Sequence, residues 1–360
     1  MVYNNQEIRN RIEKYGTVYL ADNIVEDVSD IIGHEKKKDR LEDFFEALKK
    51  YETLSESLKK AKLTPNLTVL LYGPPGTGKT TITRALCKKH DIPLCVVEAD
   101  RLVSPLLGDT VKNIRNVCEV ASEIAKENGA FVLFFDEIDA IASERSNAHE
   151  VGEIKRAVIS FLQIIDKITY FGIPLAIFGA TNHSDQLDSA VWRRFTFHLY
   201  FDFPNYEIRY EIIRSFLSRI QKATITVDEA IFSKLDNEFQ FIQNEIEYMQ
   251  KNNLEITNAR IKQSFEKLKK LGDHSVLHLT QGYTGADLER ATRVALLKAI
   301  KFNMLSYDNY VESLKLVGGT QQHVQQQEKL STPKTLEMED SEQESQEQTL
   351  DIDNNLFEEI

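Results

Sequence analysis

At 360 residues the chain is long enough for two domains with cores of their own. Its formal charge of −12 is unevenly spread: Gly318–Ile360 carries eleven Asp/Glu against two Lys, a net of −9, which leaves −3 for the rest. No run approaches about 18 consecutive apolar residues, so no membrane-spanning helix is expected, and no cationic tract argues for nucleic acid.

Met1 to about Asp30 reads as a short, weakly helical N-terminal segment, residues 1–30. Lys36–Lys62 is a charged helical stretch, with Leu41, Phe44, Phe45, Leu48 and Tyr51 at spacings of three and four. Short apolar runs then alternate with helical segments. Leu67–Tyr72 precedes a helix over Thr80–Lys89, and Leu94–Val97 precedes one over Thr110–Glu127. Phe131–Phe135 precedes a helix near Glu153–Asp166, and Leu175–Phe178 and Phe197–Phe201 complete the set. This alternation predicts an α/β fold over residues 31–203, a parallel sheet between two helical layers. After Pro204 the pattern turns helical, giving a small all-helical lid over 204–317. Within it a surplus segment, about 228–274, predicts a helical hairpin turning at Lys251-Asn252-Asn253. That hairpin reads either as a docking arm for a partner or as extra lid packing. Residues 318–360 are Gln-, Glu- and Ser-rich, and predict a disordered tail. Cys87, Cys95 and Cys118 are too few and wrongly spaced for a zinc site, and fit a reducing, cytoplasmic compartment.

The chemistry concentrates at the ends of the predicted strands. Gly73-Pro74-Pro75-Gly76-Thr77-Gly78-Lys79-Thr80 fits the pattern G-x-x-x-x-G-K-[ST] between a strand and a helix. Its glycines let successive N–H groups face phosphates, Lys79 reaches the β/γ-phosphates, and the Thr80 hydroxyl ligates Mg²⁺. The strand Phe131–Phe135 delivers Asp136 and Glu137 at its carboxyl end, where ligands bind in open α/β sheets. Asp136 would support the metal, and Glu137 would polarise an attacking water. Asn182, after the strand Leu175–Phe178, reads as a γ-phosphate sensor or as an ordinary turn residue. Arg193 and Arg194 read as a surface ion-pair site or as an arginine finger offered to a neighbouring copy.

Taken together, these motifs resemble the AAA ATPases of the AAA+ superfamily, in the protein-remodelling clade, over about Asp30–Ala299. The fold that this resemblance implies is the P-loop NTPase three-layer sandwich followed by a helical lid. It implies that Ile32 and Gly33 lie beside the adenine. Pro75, Gly76, Thr77, Gly78, Lys79, Thr80 and Thr81 would hold phosphates, and Gly285 and Ala286 of Gly282–Asp287 would pack near the nucleotide. It implies ATP and Mg²⁺ as cofactors and a homo-oligomeric, usually hexameric, ring acting on a protein. Ser104-Pro105-Leu106-Leu107-Gly108 places Leu106 where the family carries a pore aromatic. Val151–Arg156 and Ala190–Phe195 are similar to bacterial single-module members, some of which are encoded beside a subtilisin-like protease, so such an enzyme is an implied partner.

The leading expectation is therefore an ATP hydrolase that remodels a protein partner. A second is an ATP-dependent switch that gates a partner enzyme without threading. A third, DNA-associated role lacks any basic tract with aromatic interleaving.

Overall fold

The computed structural model describes residues 5–321 except 64, 103–108, 143–150, 223–224, 258–259, 261–262, 265, 268–274 and 301–303. The expectations for Leu106, for the second hairpin arm (Ile261, Phe265, Leu268) and for the tail beyond 321 therefore lie outside the described residues.

Six strands form one sheet. They are β1 (Gly16–Tyr19), β2 (Thr68–Tyr72), β3 (Leu94–Val97), β4 (Phe131–Phe135), β5 (Leu175–Thr181) and β6 (Phe197–Tyr200). Their order across the sheet is β1-β3-β4-β5-β2-β6. All neighbours run parallel except β1, which pairs antiparallel to β3. β4 is apolar at every position because both of its faces are covered. Phe131, Leu133 and Phe135 point into one core and Val132 and Phe134 into the other, the two-residue alternation of a strand.

The first core is closed by α1 (Asn5–Ile12), α6 (Asp109–Asn128) and α8 (Val151–Phe171), and the second by α2 (Glu35–Lys49) and α4 (Lys79–His90). The remaining helices of this half are α3 (Tyr51–Lys60), α5 (Ala99–Leu102), α7 (Asp139–Ala142) and α9 (Ser189–Arg194). Phe178 anchors the second core, with its ring 5.5 Å from Phe44 and 5.8 Å from Phe45.

Two details depart from the sequence reading. The N-terminal segment is built into the sheet and its core. Ile8, Ile12, Tyr15 and Leu20 are buried in the first core, and β1 adds an antiparallel edge to the expected parallel sheet. Four residues give too short an alternation to stand out. Gly16 marks the spot instead, because a Cβ there would meet the Val96 carbonyl oxygen at 2.0 Å.

The helical region is not purely helical either. It comprises α10 (Tyr206–Lys222), β7 (Thr226–Val227), α11 (Glu229–Lys251), α12 (Val276–Leu279), α13 (Gly285–Ala299), β8 (Met304–Leu305) and α14 (Tyr307–Val317). β7 and β8 form a two-residue parallel ladder between helix ends, too short for any periodic signal. The first hairpin arm, α11, is packed rather than free. Ile231, Leu235 and Ile242 are fully buried, and Phe239 stacks on Tyr210 at 4.1 Å. Buried Glu238 accepts hydrogen bonds from Ser275 Oγ and from the Val276 and Leu277 N–H groups, so it caps α12. This arm therefore packs into the core of the helical region.

Candidate functional site

Strand order builds the site. β5 lies between β4 and β2, so the segments leaving the carboxyl ends of all three strands meet. Main-chain bonds fasten them: Gly73 N–H donates to Thr181 O at 3.3 Å, and Ile138 N–H to Ala180 O at 2.9 Å. Gly73, Gly76 and Gly78 all have positive φ, at 130°, 74° and 94°, so the loop needs residues without a Cβ penalty.

Lys79 is buried at the first position of α4. Its ammonium donates to Gly73 O at 2.7 Å, to Pro74 O at 2.8 Å and to Asn182 Oδ1 at 2.8 Å. All three protons are thus engaged, in the places phosphate oxygens would take. Burial pushes its pKa down to about 8, partly opposed by the Asp136 charge. The Thr80 hydroxyl donates to Asp136 Oδ2 at 3.3 Å, so a hydroxyl and a carboxylate converge as hard oxygen ligands for Mg²⁺ would. Asp136 Oδ1 also accepts from the Glu137 N–H at 3.1 Å. Glu137 itself is exposed and left-handed, with φ of 50°, uncommon for a residue with a side chain. Four of the expected residues, Lys79, Thr80, Asp136 and Asn182, are therefore joined in one network beside Glu137.

The lid closes over the loop through backbone. Thr284 and Asp287 form a capping box at the start of α13, with the Thr284 N–H donating to Asp287 Oδ2 at 2.9 Å. This holds Gly285 and Ala286 against Gly76, whose carbonyl accepts the Ala286 N–H at 3.2 Å. A Cβ on Gly76 would meet Thr284 Oγ1 at 2.6 Å.

Beside this contact opens a cleft of about 400 Å³, the size of a small-ligand site. Ile32, Gly76, Thr77, Gly78, Thr81, Gly285 and Ala286 line it. Gly33 lies at its edge, where a Cβ would come within 3.0 Å of Ile208. Pro75 is exposed and outside the lining. Arg193 and Arg194 are not brought to the cleft of their own chain. Arg194 instead forms a two-pronged pair with Asp166 of α8.

Several lining groups escaped the sequence reading. Ile208, Ile212 and Phe216 present an apolar stripe of α10 to the cleft, and their spacing of four was a usable signal. His34 carried no such signal. Its Nε2–H donates to Thr77 O at 3.2 Å, and its Nδ1 accepts from Lys37 Nζ at 3.2 Å, which fixes a neutral tautomer. Burial, reinforced by Lys37, lowers its pKa to about 4. Asp139, also unforeseen, accepts from the Thr181 hydroxyl at 2.6 Å and ties α7 to the end of β5.

The family model for the ATPase family associated with various cellular activities (AAA) matches residues 69–203. Those residues are an AAA domain. An uncharacterized AAA family ATPase, y4kL, of Sinorhizobium fredii is 42% identical over 136 residues, 38% of this chain and 39% of that protein. The 26S proteasome regulatory subunit 6A of Schizosaccharomyces pombe is 33% identical over 190 residues, 52% of this chain and 42% of that one. The chain thus spans about two fifths of each of these curated relatives. A crystal structure of the FIGL-1 AAA domain in complex with ADP superposes with a TM-score of 0.56 over 91% of this chain and 98% of that one. At 22% identity that likeness speaks for the fold of the AAA domain and its helical lid. Among the described residues, no helix is long and apolar enough to cross a membrane.

Proposed function

We propose that this chain hydrolyses ATP (ATP + H₂O → ADP + phosphate) as a homo-oligomeric ring, of six copies, and couples turnover to work on a protein partner. The supporting observation is the single network of Lys79, Thr80, Asp136 and Asn182 at the adjoining ends of β2, β4 and β5.

In this reading, Lys79 exchanges its loop carbonyls for β- and γ-phosphate oxygens. Thr80 and Asp136 hold Mg²⁺, which when bound neutralises charge developing on the phosphates. The Asn182 amide, freed from Lys79, orients the γ-phosphate and the attacking water. Glu137 accepts that water's proton at its carboxylate. Ile32, His34 and the α10 stripe enclose the base, and Gly285–Ala286 hold the lid to the loop. Arginine from a second copy meets the γ-phosphate.

The protein-partner reading is supported by the relative that is a regulatory subunit of the proteasome. The same relative supports a second version, in which the ring gates a partner enzyme, such as a subtilisin-like protease, without threading anything. The three free thiols are buried, which suits a reducing, cytoplasmic setting.

Turnover of the whole chain and of Glu137→Gln, measured with nucleotide binding, tests the reaction. The variant is expected to hold ATP while turnover falls roughly 1,000-fold. Undiminished turnover would remove Glu137 as the base, and failure of the unaltered protein to bind ATP would remove the whole reading.

A further inference from the structure

A second cavity lies on the sheet face opposite α4, in the groove between α6 and α8. It shares no lining residue with the cleft beside the phosphate loop, and its volume of about 590 Å³ is that of a small-ligand site. Its walls follow from helix periodicity. Ile164, Ile168 and Phe171 recur at spacings of four and three along α8, and Arg115, Glu119, Ser122 and Lys126 do the same on α6. Because β3, β4 and β5 are parallel, α6 and α8 each return from one strand's carboxyl end to the next one's amino end. The two helices therefore run the same way, which puts Arg115 level with Ser160 and Lys126 level with Phe171. From 115 to 126 on one helix, and 160 to 171 on the other, the groove is about 16 Å long at the helical rise.

The chain leaves both ends of this groove unsatisfied. Buried helical serines can return their hydroxyl to a carbonyl one turn back, and Ser122 does so, donating to Cys118 O at 2.6 Å. Ser160 is only 6% exposed, yet its Oγ has no partner among the described residues. A buried hydroxyl with nothing to bond is destabilising until something supplies the bond. At the other end Phe171 is 60% exposed, its ring 5.3 Å from that of equally solvated Tyr170. The charges are one-sided. Arg115, Lys126 and Lys167 are exposed and have no ion pair among the described residues. Of the two lining carboxylates, Glu123 is neutralised by Arg11 at 2.8 Å, which leaves Glu119 against three cations.

We propose that this groove binds an amphipathic anion, a slender apolar body carrying a carboxylate or phosphate head. The head sits at the Arg115 end and accepts the Ser160 hydroxyl. The body runs along Ile164 and Ile168 to Phe171. Lys126 and Lys167 lie at the far end, where they attract the anion from a distance and cover its body with their methylene stems. A cationic or neutral amphiphile would satisfy Ser160 but leave the three cations unmatched.

The test titrates decanoate, decyl phosphate, decylamine and decanol into the full chain by calorimetry. Both anions are expected to bind at one site per chain, with the amine and the alcohol about tenfold weaker. The tighter of the two anions identifies the head group. Arg115→Glu should weaken decanoate binding about tenfold and Ser160→Ala about fivefold, whereas Lys126→Glu should change it less than about threefold. Ser160→Ala should also melt no lower than the unaltered protein, since it deletes a hydroxyl that has no partner. ATP affinity should be unchanged in all three variants, so this site and the nucleotide site are read separately. Decylamine binding as tightly as decanoate, or Arg115→Glu and Ser160→Ala both retaining full affinity, would overturn the proposal. Loss of decanoate binding at concentrations where the chain sediments as an assembly would make the groove a contact between copies and overturn it as well.

Discussion

The phosphate loop leaves the carboxyl end of β2, whereas the end of α9 is fastened to Thr68 at the amino end of the same strand, and the two are finished differently. In the loop, Lys79 spends every ammonium proton on acceptors of its own chain, and Thr80, Asp136 and Asn182 close the same network. On α9, Trp192 and Arg194 are engaged within the chain while Arg193 faces outward without a described partner. The difference separates two kinds of functional residue. A binding cradle is complete before its ligand arrives, its donors parked on surrogate oxygens. In the proposed reading, a group that acts on another copy is left without a described partner in its own chain.

The contrast has measurable edges. Removing the parked cation is the larger perturbation: Lys79→Ala should weaken ATP and ADP binding about 100-fold, the equivalent of roughly 3 kcal/mol for a charge-assisted contact. Equilibrium titration with a fluorescent nucleotide reads this directly, and near-normal affinity would mean the lysine never leaves its carbonyls. A smaller effect follows from the lowered pKa of about 8 on Lys79. In the free protein the ammonium loses its proton as pH rises through 8, whereas bound phosphates favour the charged form and raise the pKa. Binding above pH 8 should therefore take up as much as one proton, and affinity should fall by up to about tenfold per pH unit there. Below about pH 7 Lys79 is charged in both states and contributes no uptake. Calorimetry in two buffers of different ionisation enthalpy distinguishes the two regimes. His34, with its pKa near 4, stays neutral throughout and adds nothing to the profile.

How much of this was legible depended on whether the signal was local. The phosphate loop, the Asp136-Glu137 strand end and Asn182 could be read because each sits where an uninterrupted apolar run stops. The strand order that brings the three together is long-range, but the α/β alternation constrains it strongly. β1 was missed because four residues show no persuasive alternation, and its pairing with β3 bridges about eighty residues of chain. His34 was missed for another reason: a single histidine beside a glycine carries no pattern, and its importance comes from the Thr77 carbonyl and Lys37 meeting it in space. The arginine pair was seen but not resolved. Sequence offered a finger and a surface ion pair as alternatives; Arg194 takes an ion pair with Asp166, 28 positions away with no pattern linking them, and Arg193 has no described partner.

The central claim is that one copy's loop works with another copy's Arg193, and subunit mixing tests it most directly. Lys79→Ala chains and Arg193→Ala chains, each inactive alone, would be combined and assayed for ATP hydrolysis. Reappearance of turnover on mixing, scaling with the fraction of junctions that pair an intact loop with an intact Arg193, is the predicted result. Persistent silence of a mixture shown to co-assemble, or full activity of the Arg193→Ala chain on its own, would contradict it.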